Sequence, residues 1–245
     1  MKAITAEELL CAWEKSLSQP SLQRSFILLS TAFPEILPDT LLNLSIGQRD
    51  RHLLQLREKL FGQQLLNSAV CPECKQQIEW ENSITDLIDP RVETNVAENE
   101  FNLNVDDYDL HFRLPNSLDL AAVINNSDAN IMQQHLLSRC LLNIEYSGVS
   151  FDISQLPDNV ITQLDQRIAA LDPQADIRIN LNCPECSHSW DVLFDISSFL
   201  WREVNDWAEQ MLRTVYKLAM AYGWSEREIL NLTPVRRQLY LGMLE

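Results

Sequence analysis

The chain has 245 residues, 46% of them apolar, with five glycines and ten prolines, enough to bury a core plus an insertion and leaving little room for long flexible linkers. Its 35 acidic residues against 19 basic give a net charge of −16, which argues against a general nucleic-acid or anionic-membrane binder, since those surfaces need excess Lys and Arg. No stretch approaches the roughly 18 apolar residues of a membrane helix, and "MKAITAEELLCAWEK" lacks the apolar run of a secretory signal, so a cytoplasmic location is expected.

The first 62 residues read as helices on short loops. Thr5 with Glu8 forms a capping-box pattern before Leu9, Leu10, Trp13 and Leu17, which recur on one face. Pro20 opens a second helix containing Phe26 to Leu29. Ser45 with Gln48 repeats the capping box ahead of Leu53, Leu54, Leu56, Leu60 and Phe61, and Gly62 is a stop. "QQIEWE" alternates as a strand. Residues 86–109 hold eight carboxylates against Arg91, a solvated acidic surface, and within them "FNLNVDDYDLHFRLP" reads as two strands joined at Asp106–Asp107.

Helical periodicity returns over 117–124, 128–142 and 158–171. "DIRINLN" and "SWDVLFDI" then alternate as strands. Ser198 is expected to cap a long helix carrying Leu200, Trp201, Val204, Trp207, Met211, Leu212, Val215, Leu218 and Ala219 on one face, ending at Gly223. Ser225 with Glu228 caps a short helix, and Thr233–Pro234 starts the last one. The helices at the two ends of the chain are expected to pack on each other, since an amphipathic face left alone is unstable.

Between these elements the tetrad Cys-Pro-Glu-Cys occurs twice, at 71–74 and 183–186. A Cys-x-x-Cys turn aims two sulfurs the same way, and proline at its second position restricts the turn. A structural zinc takes four ligands in a tetrahedron, so Cys71, Cys74, Cys183 and Cys186 make one complete set. Thiolates select zinc over magnesium or calcium. The separation exceeds the usual ribbon spacing, but each doubling of a loop adds only about 0.6 kcal/mol of closure cost, whereas structural zinc supplies on the order of 10 kcal/mol of apparent folding energy. The competing reading, a redox dithiol, expects a pair opening a βαβ unit and leaves the repeated tetrad unexplained.

Four cysteines leave no coordination site for a reacting water, which favours a structural over a catalytic metal and against a zinc hydrolase. His188 follows Cys186 closely and reads as a strand residue or a donor to the sulfurs. The sequence has no His-Glu-x-x-His, Gly-x-Ser-x-Gly, phosphate-binding glycine loop or deaminase His-x-Glu, so no catalytic residue, no small-molecule substrate and no enzymatic activity is expected. Cys11 and Cys140 read as buried small hydrophobes, and most of Trp13, Trp80, Trp190, Trp201, Trp207 and Trp224 as core.

Several stretches together resemble the baseplate hub assembly chaperone family of T-even-type phages and related contractile injection systems. They are "LLCAWEKSLSQPSLQRSFILLSTAFPE", "LSIGQRDRHLLQLREKLFG", the two cysteine segments, "LHFRLPNSLDLAAV" and "AYGWSEREILNLTPVRRQLYLGML". The resemblance spans nearly the whole chain and implies a chaperone that helps build the hub of a contractile tail, with hub or other tail proteins as partners. It carries a partner-binding role onto Trp224, Ser225, Glu226, Arg236, Arg237 and Tyr240, which could equally serve helix packing.

The expected architecture is α+β: helices over 1–62, a four-cysteine zinc ribbon from 63–91 and 175–197, an inserted strand-and-helix region over 92–174, and helices over 198–245. The alternative function is a zinc-ribbon nucleic-acid or transcription accessory protein, which needs a basic groove that the charge disfavours.

Overall fold

A computed structural model describes residues 1–89, 100–124 and 128–244. Arg91, Glu93 and Glu98 of the acidic run, and the last residues of the 63–91 segment, lie outside the described residues. The protein is a mixed α+β chain that divides into two compact units, Met1–Leu37 with Ile196–Glu245, and Pro38–Asp195.

In the first unit, α1 (Ala6–Ser16) starts where the Thr5 hydroxyl accepts from the Glu8 N–H and the Glu8 carboxylate accepts from the Thr5 N–H, the capping box read from the sequence. α2 (Ser21–Ala32) starts after Pro20 and buries Leu28, Leu29 and Ala32.

The second unit opens with α3 (Pro38–Leu42) and α4 (Ile46–Phe61). The Ser45–Gln48 capping box begins α4, and Gly62, at φ +90°, ends it in a conformation that L side chains avoid. β1 (Gln64–Val70) and β2 (Gln77–Ser83) pair antiparallel from Gln64↔Ser83 to Val70↔Gln77, with the first tetrad at the tip, and α5 (Ile84–Leu87) follows.

β3 (Glu100–Val105) and β4 (Tyr108–Arg113) turn at Asp106–Asp107, as their alternation predicts. α6 (Ser117–Val123) is capped by Asn116, and α7 (Ala129–Cys140) by Asp128. The helix expected over 128–142 stops at Cys140, because Leu141 already pairs with Phe112 in β5 (Leu141–Tyr146). A short β6 (Val149–Ser150) completes a four-stranded sheet in the order β3-β4-β5-β6. Val105, Leu110, Phe112, Leu137 and Ile144 close over Val160 and Leu164 of α8 (Asp158–Leu171) to form its core.

A 3₁₀ turn, Pro173–Ala175, then ties the two cysteine segments into one body. Asp172 accepts from the Gly47 N–H at the start of α4 (2.9 Å), where an anionic group suits the helix N-terminus. The buried Gln174 accepts from the Asp89 N–H (2.7 Å) and donates to Leu87 O (2.8 Å), just past the first hairpin. β7 (Arg178–Asn182) and β8 (Ser189–Leu193) start immediately afterwards and pair antiparallel with the second tetrad at their tip.

The chain then returns to the first unit. α9 (Ile196–Tyr222) begins three residues earlier than a cap at Ser198 implies, so Ser198 lies in its first turn instead of capping it. Leu10 of α1 meets Ala208 and Met211 of α9, and the Trp13 indole N–H donates to Asn205 (3.0 Å), so the terminal helices pack as anticipated. Gly223, at φ +71°, ends α9, and α10 (Glu226–Leu230) and α11 (Pro234–Gly242) follow their Ser225 and Thr233 caps.

Two expectations on single residues are corrected. All six tryptophans are half-buried, none fully so, and the indole N–H groups of Trp13 and Trp80 donate to Asn205 and Asn82. Cys11 is exposed, on the outer side of an amphipathic helix whose buried face is Leu9, Leu10 and Ala12, while Cys140 is fully buried.

Candidate metal centre

Each tetrad turns its chain through the same hydrogen bonds. In the first, the Cys71 N–H donates to Gln76 O (2.9 Å) and the Lys75 N–H to Cys71 O (3.1 Å). In the second, the Cys183 N–H donates to His188 O (2.8 Å) and the Ser187 N–H to Cys183 O (2.9 Å). The carbonyl of the leading cysteine is thereby held back, which leaves both sulfurs of the tetrad on one side of the turn.

The two tips face each other. Cys71 Sγ lies 3.7 Å from Cys186 Sγ, Cys74 Sγ lies 3.5 Å from Cys183 Sγ, and all four sulfurs fall within 4.8 Å of one another. A tetrahedron with metal–sulfur bonds of about 2.3 Å has edges of about 3.8 Å, so the spacing fits one tetrahedral ion and is far too long for a disulfide of about 2.05 Å. The leading cysteines, Cys71 and Cys183, are buried, and the trailing ones, Cys74 and Cys186, are exposed.

The backbone treats the two classes differently. Burial would raise the Cys71 thiol, but the N–H groups of Cys74 and Glu73 aim at its sulfur and hold it below the usual range. Burial likewise opposes ionisation of Cys183, and the N–H groups of Cys186 and Glu185 bring it to about 7. Cys74 receives the Gln76 N–H, yet the loss of water where its sulfur meets its three sulfur neighbours, and those neighbours themselves, push it up to about 12. Cys186, the other trailing cysteine, is also raised, against the His188 N–H. Four thiols this close cannot all ionise without a cation between them, and a divalent ion removes that repulsion.

Neither hairpin has much else to hold it. In β7 and β8 only Leu181 is buried, and in β1 and β2 only Leu65. Each is a separate two-stranded sheet, a form marginal in water by itself. A shared ion at the tips would tie the two hairpins together, while Gln174 holds the segment just past the first one.

The structure brings together Cys71, Cys74, Cys183 and Cys186, and it places His188 outside the ligand set. The His188 carbonyl serves the turn, and its ring stacks on Trp190 at 5.8 Å and 20°. Sequence reading missed the strand β1 and the residues that follow each trailing cysteine, Lys75 and Ser187. The repeated spacing Cys-Pro-Glu-Cys-x was the available signal for the latter.

The residues singled out near the C-terminus separate into two groups. Ser225 caps α10 through the Glu228 N–H, and the buried Arg237 places Nη1 2.9 Å from Leu232 O and 3.0 Å from Leu230 O. Trp224 stacks on Tyr222 (4.7 Å, 18°) and meets the edge of Tyr240 (4.8 Å). Glu226 and Arg236 are exposed. Among the described residues, no helix is long and apolar enough to cross a membrane.

A model of the family described as "T4 bacteriophage base plate protein" matches residues 8–201, most of the chain. No curated protein and no solved structure matches it.

Proposed function

Because the chain belongs to the T4 bacteriophage base plate protein family, a setting in which partners are other baseplate or tail proteins, we propose that it is a non-enzymatic assembly factor, a chaperone for the baseplate hub. One structural zinc, held by Cys71, Cys74, Cys183 and Cys186, stabilises it. The observation that carries the zinc reading is the closed set of four sulfurs within 4.8 Å, supplied by two otherwise weakly held hairpins.

The donor set supports zinc on chemical grounds. Thiolates alone at tetrahedral spacing favour a soft divalent ion, and a fourth sulfur takes the position that a catalytic zinc reserves for water. When bound, the ion supplies charge neutralisation and a cross-link. The chain's own residues supply the rest: backbone N–H groups of both turns stabilise sulfur charge, and Gln174, shortly before the second hairpin, is hydrogen-bonded to Leu87 and Asp89 just past the first.

The hub role rests on family membership together with the sequence resemblance. Co-expression of the chain with the tail proteins encoded beside it, followed by affinity capture, is expected to recover a hub component in defined stoichiometry. Capture of no hub component from any pairing removes the chaperone reading. The cobalt-substituted protein is expected to show the charge-transfer spectrum of four thiolates, and fewer than four removes the closed structural site.

A further inference from the structure

Large apolar side chains are exposed unevenly. Of nineteen exposed ones among the described residues, eight lie between Leu212 and Leu244. Three of them, Leu212, Tyr216 and Met220, follow at intervals of four along α9 and so line one stripe that runs from the edge of its buried face, marked by Met211 and Leu218, round to the far side. Tyr216 is 66% exposed and Met220 72%. α11 repeats the pattern with Val235, Leu239 and Met243, each at least 59% exposed. Scattered exposed leucines need no explanation, but a regular stripe does.

The charge around this stripe runs against that of the chain. Residues 211–244 carry five basic side chains against Glu226 and Glu228, within a protein of net charge −16. Along the stripe itself the neighbours are Arg213 and Lys217, and no carboxylate occurs from 210 to 225. Glu209 sits one turn before and pairs with Arg213 at 3.5 Å, both being exposed. Arg236 borders the stripe on α11 and is likewise exposed.

We propose that the Leu212–Tyr216–Met220 stripe docks a helical segment of a partner protein whose apolar residues are bordered by carboxylates. The stripe spans about 12 Å, two turns of helix, a length suited to ridge-into-groove packing of a second helix. Charge complementarity selects the partner. A second copy of this chain would set Lys217 and Arg213 against the same cations, and an anionic membrane would face the acidity of the remaining chain.

This surface deepens the chaperone reading and rests on it, but fails separately. The probe is a fluorescent amphipathic peptide with leucine at helical spacing and glutamate on its flanks, against the same peptide with lysine, titrated with the full-length zinc-loaded protein. The glutamate peptide is expected to bind at least about tenfold tighter, with the preference shrinking in high salt. Tyr216→Ser with Met220→Ser is expected to abolish the binding, and Lys217→Glu to narrow the preference. Melting temperatures should stay unchanged, since these side chains are exposed.

Absence of glutamate-peptide binding, equal binding of both peptides, or retained binding in the serine variant overturns the proposal. Dimerisation or binding to anionic vesicles that Met220→Ser removes also overturns it, because the stripe then has another occupant. A hub protein captured equally well by wild type and serine variant sinks this surface and leaves the chaperone function standing.

Discussion

Lys75 and Ser187 occupy one position in two copies of a turn. Each follows the trailing cysteine of its tetrad, each has a left-handed backbone (φ 63° and 60°), and each donates its N–H to the carbonyl of the leading cysteine. The turn needs that conformation to reverse the chain and point both sulfurs one way, so backbone geometry as much as cysteine spacing makes the site.

A β-branched residue in that region clashes with its own backbone. Lys75→Val and Ser187→Val are each expected to lower the stability of the metal-loaded protein by about 1–2 kcal/mol, read as the shift in chemical denaturation. Glycine at either position is expected to be neutral or mildly stabilising. Tolerance of valine would mean that the left-handed turn is not required.

Metal removal is expected to loosen both hairpins and spare the rest of the Pro38–Asp195 unit. β1, β2, β7 and β8 bury little, whereas the β3–β6 sheet closes over α8 with a full apolar core. Amide exchange after chelation should speed in 64–83 and 178–193 and hold in 100–113 and 158–171. Cys183→Ser, which removes a sulfur fed by two backbone N–H groups, should cut zinc affinity by about a hundredfold or more. Chelation that leaves the hairpin amides protected contradicts this division.

Gly47→Ala sets helix propensity against space. Alanine gains up to about 1 kcal/mol within a helix. Here its Cβ would stand 2.8 Å from Asp172 Cγ and 3.0 Å from the Ala175 N atom, pushing away the carboxylate that accepts the Gly47 N–H. Overpacking costs about 1–3 kcal/mol, and weakening a charge-assisted hydrogen bond adds about 1–2 kcal/mol. A net loss of about 2 kcal/mol is therefore expected on thermal unfolding, and any stabilisation contradicts the close approach.

The buried Asp50 gives a signed pH dependence. Burial pushes its carboxyl up from 3.8 to about 6, opposed by Arg49 at 2.7 Å and aided by the nearby Asp195 and Asp172 carboxylates. Between those values the folded protein holds a proton that the unfolded chain has released, so this group's contribution to stability falls as pH rises from about 4 to about 6. Asp50→Asn does not titrate. The stability of wild type minus that of the variant should therefore fall across that window, by on the order of 2–3 kcal/mol, and level off above it. Titration of the cysteines is common to both proteins and cancels. A difference that grows with pH contradicts the assignment.

Legibility varied with the range of the interaction. The capping boxes at Thr5, Ser45 and Ser225 were readable because their partners lie three residues away. The β3–β4 turn at Asp106–Asp107 was readable because alternation is local. The end of α7 was not: Cys140 and Leu141 continue a helical pattern, and only the place of Leu141 beside Phe112 in the sheet turns it into a strand.

By themselves, the residues of this chain determined that four thiols come in two identical turns and that strand-like segments carry them. Their meeting within 4.8 Å was decided by contacts between distant segments: Asp172 on Gly47 and Gln174 across Leu87 and Asp89. Those contacts exist only once the intervening sheet and α8 have folded and brought residue 172 back to residue 47. Likewise, sequence marked the C-terminal helices as amphipathic, but packing chose which apolar stripe was covered and left Tyr216 and Met220 in water. A helix has one buried face, and which side becomes buried depends on its neighbours.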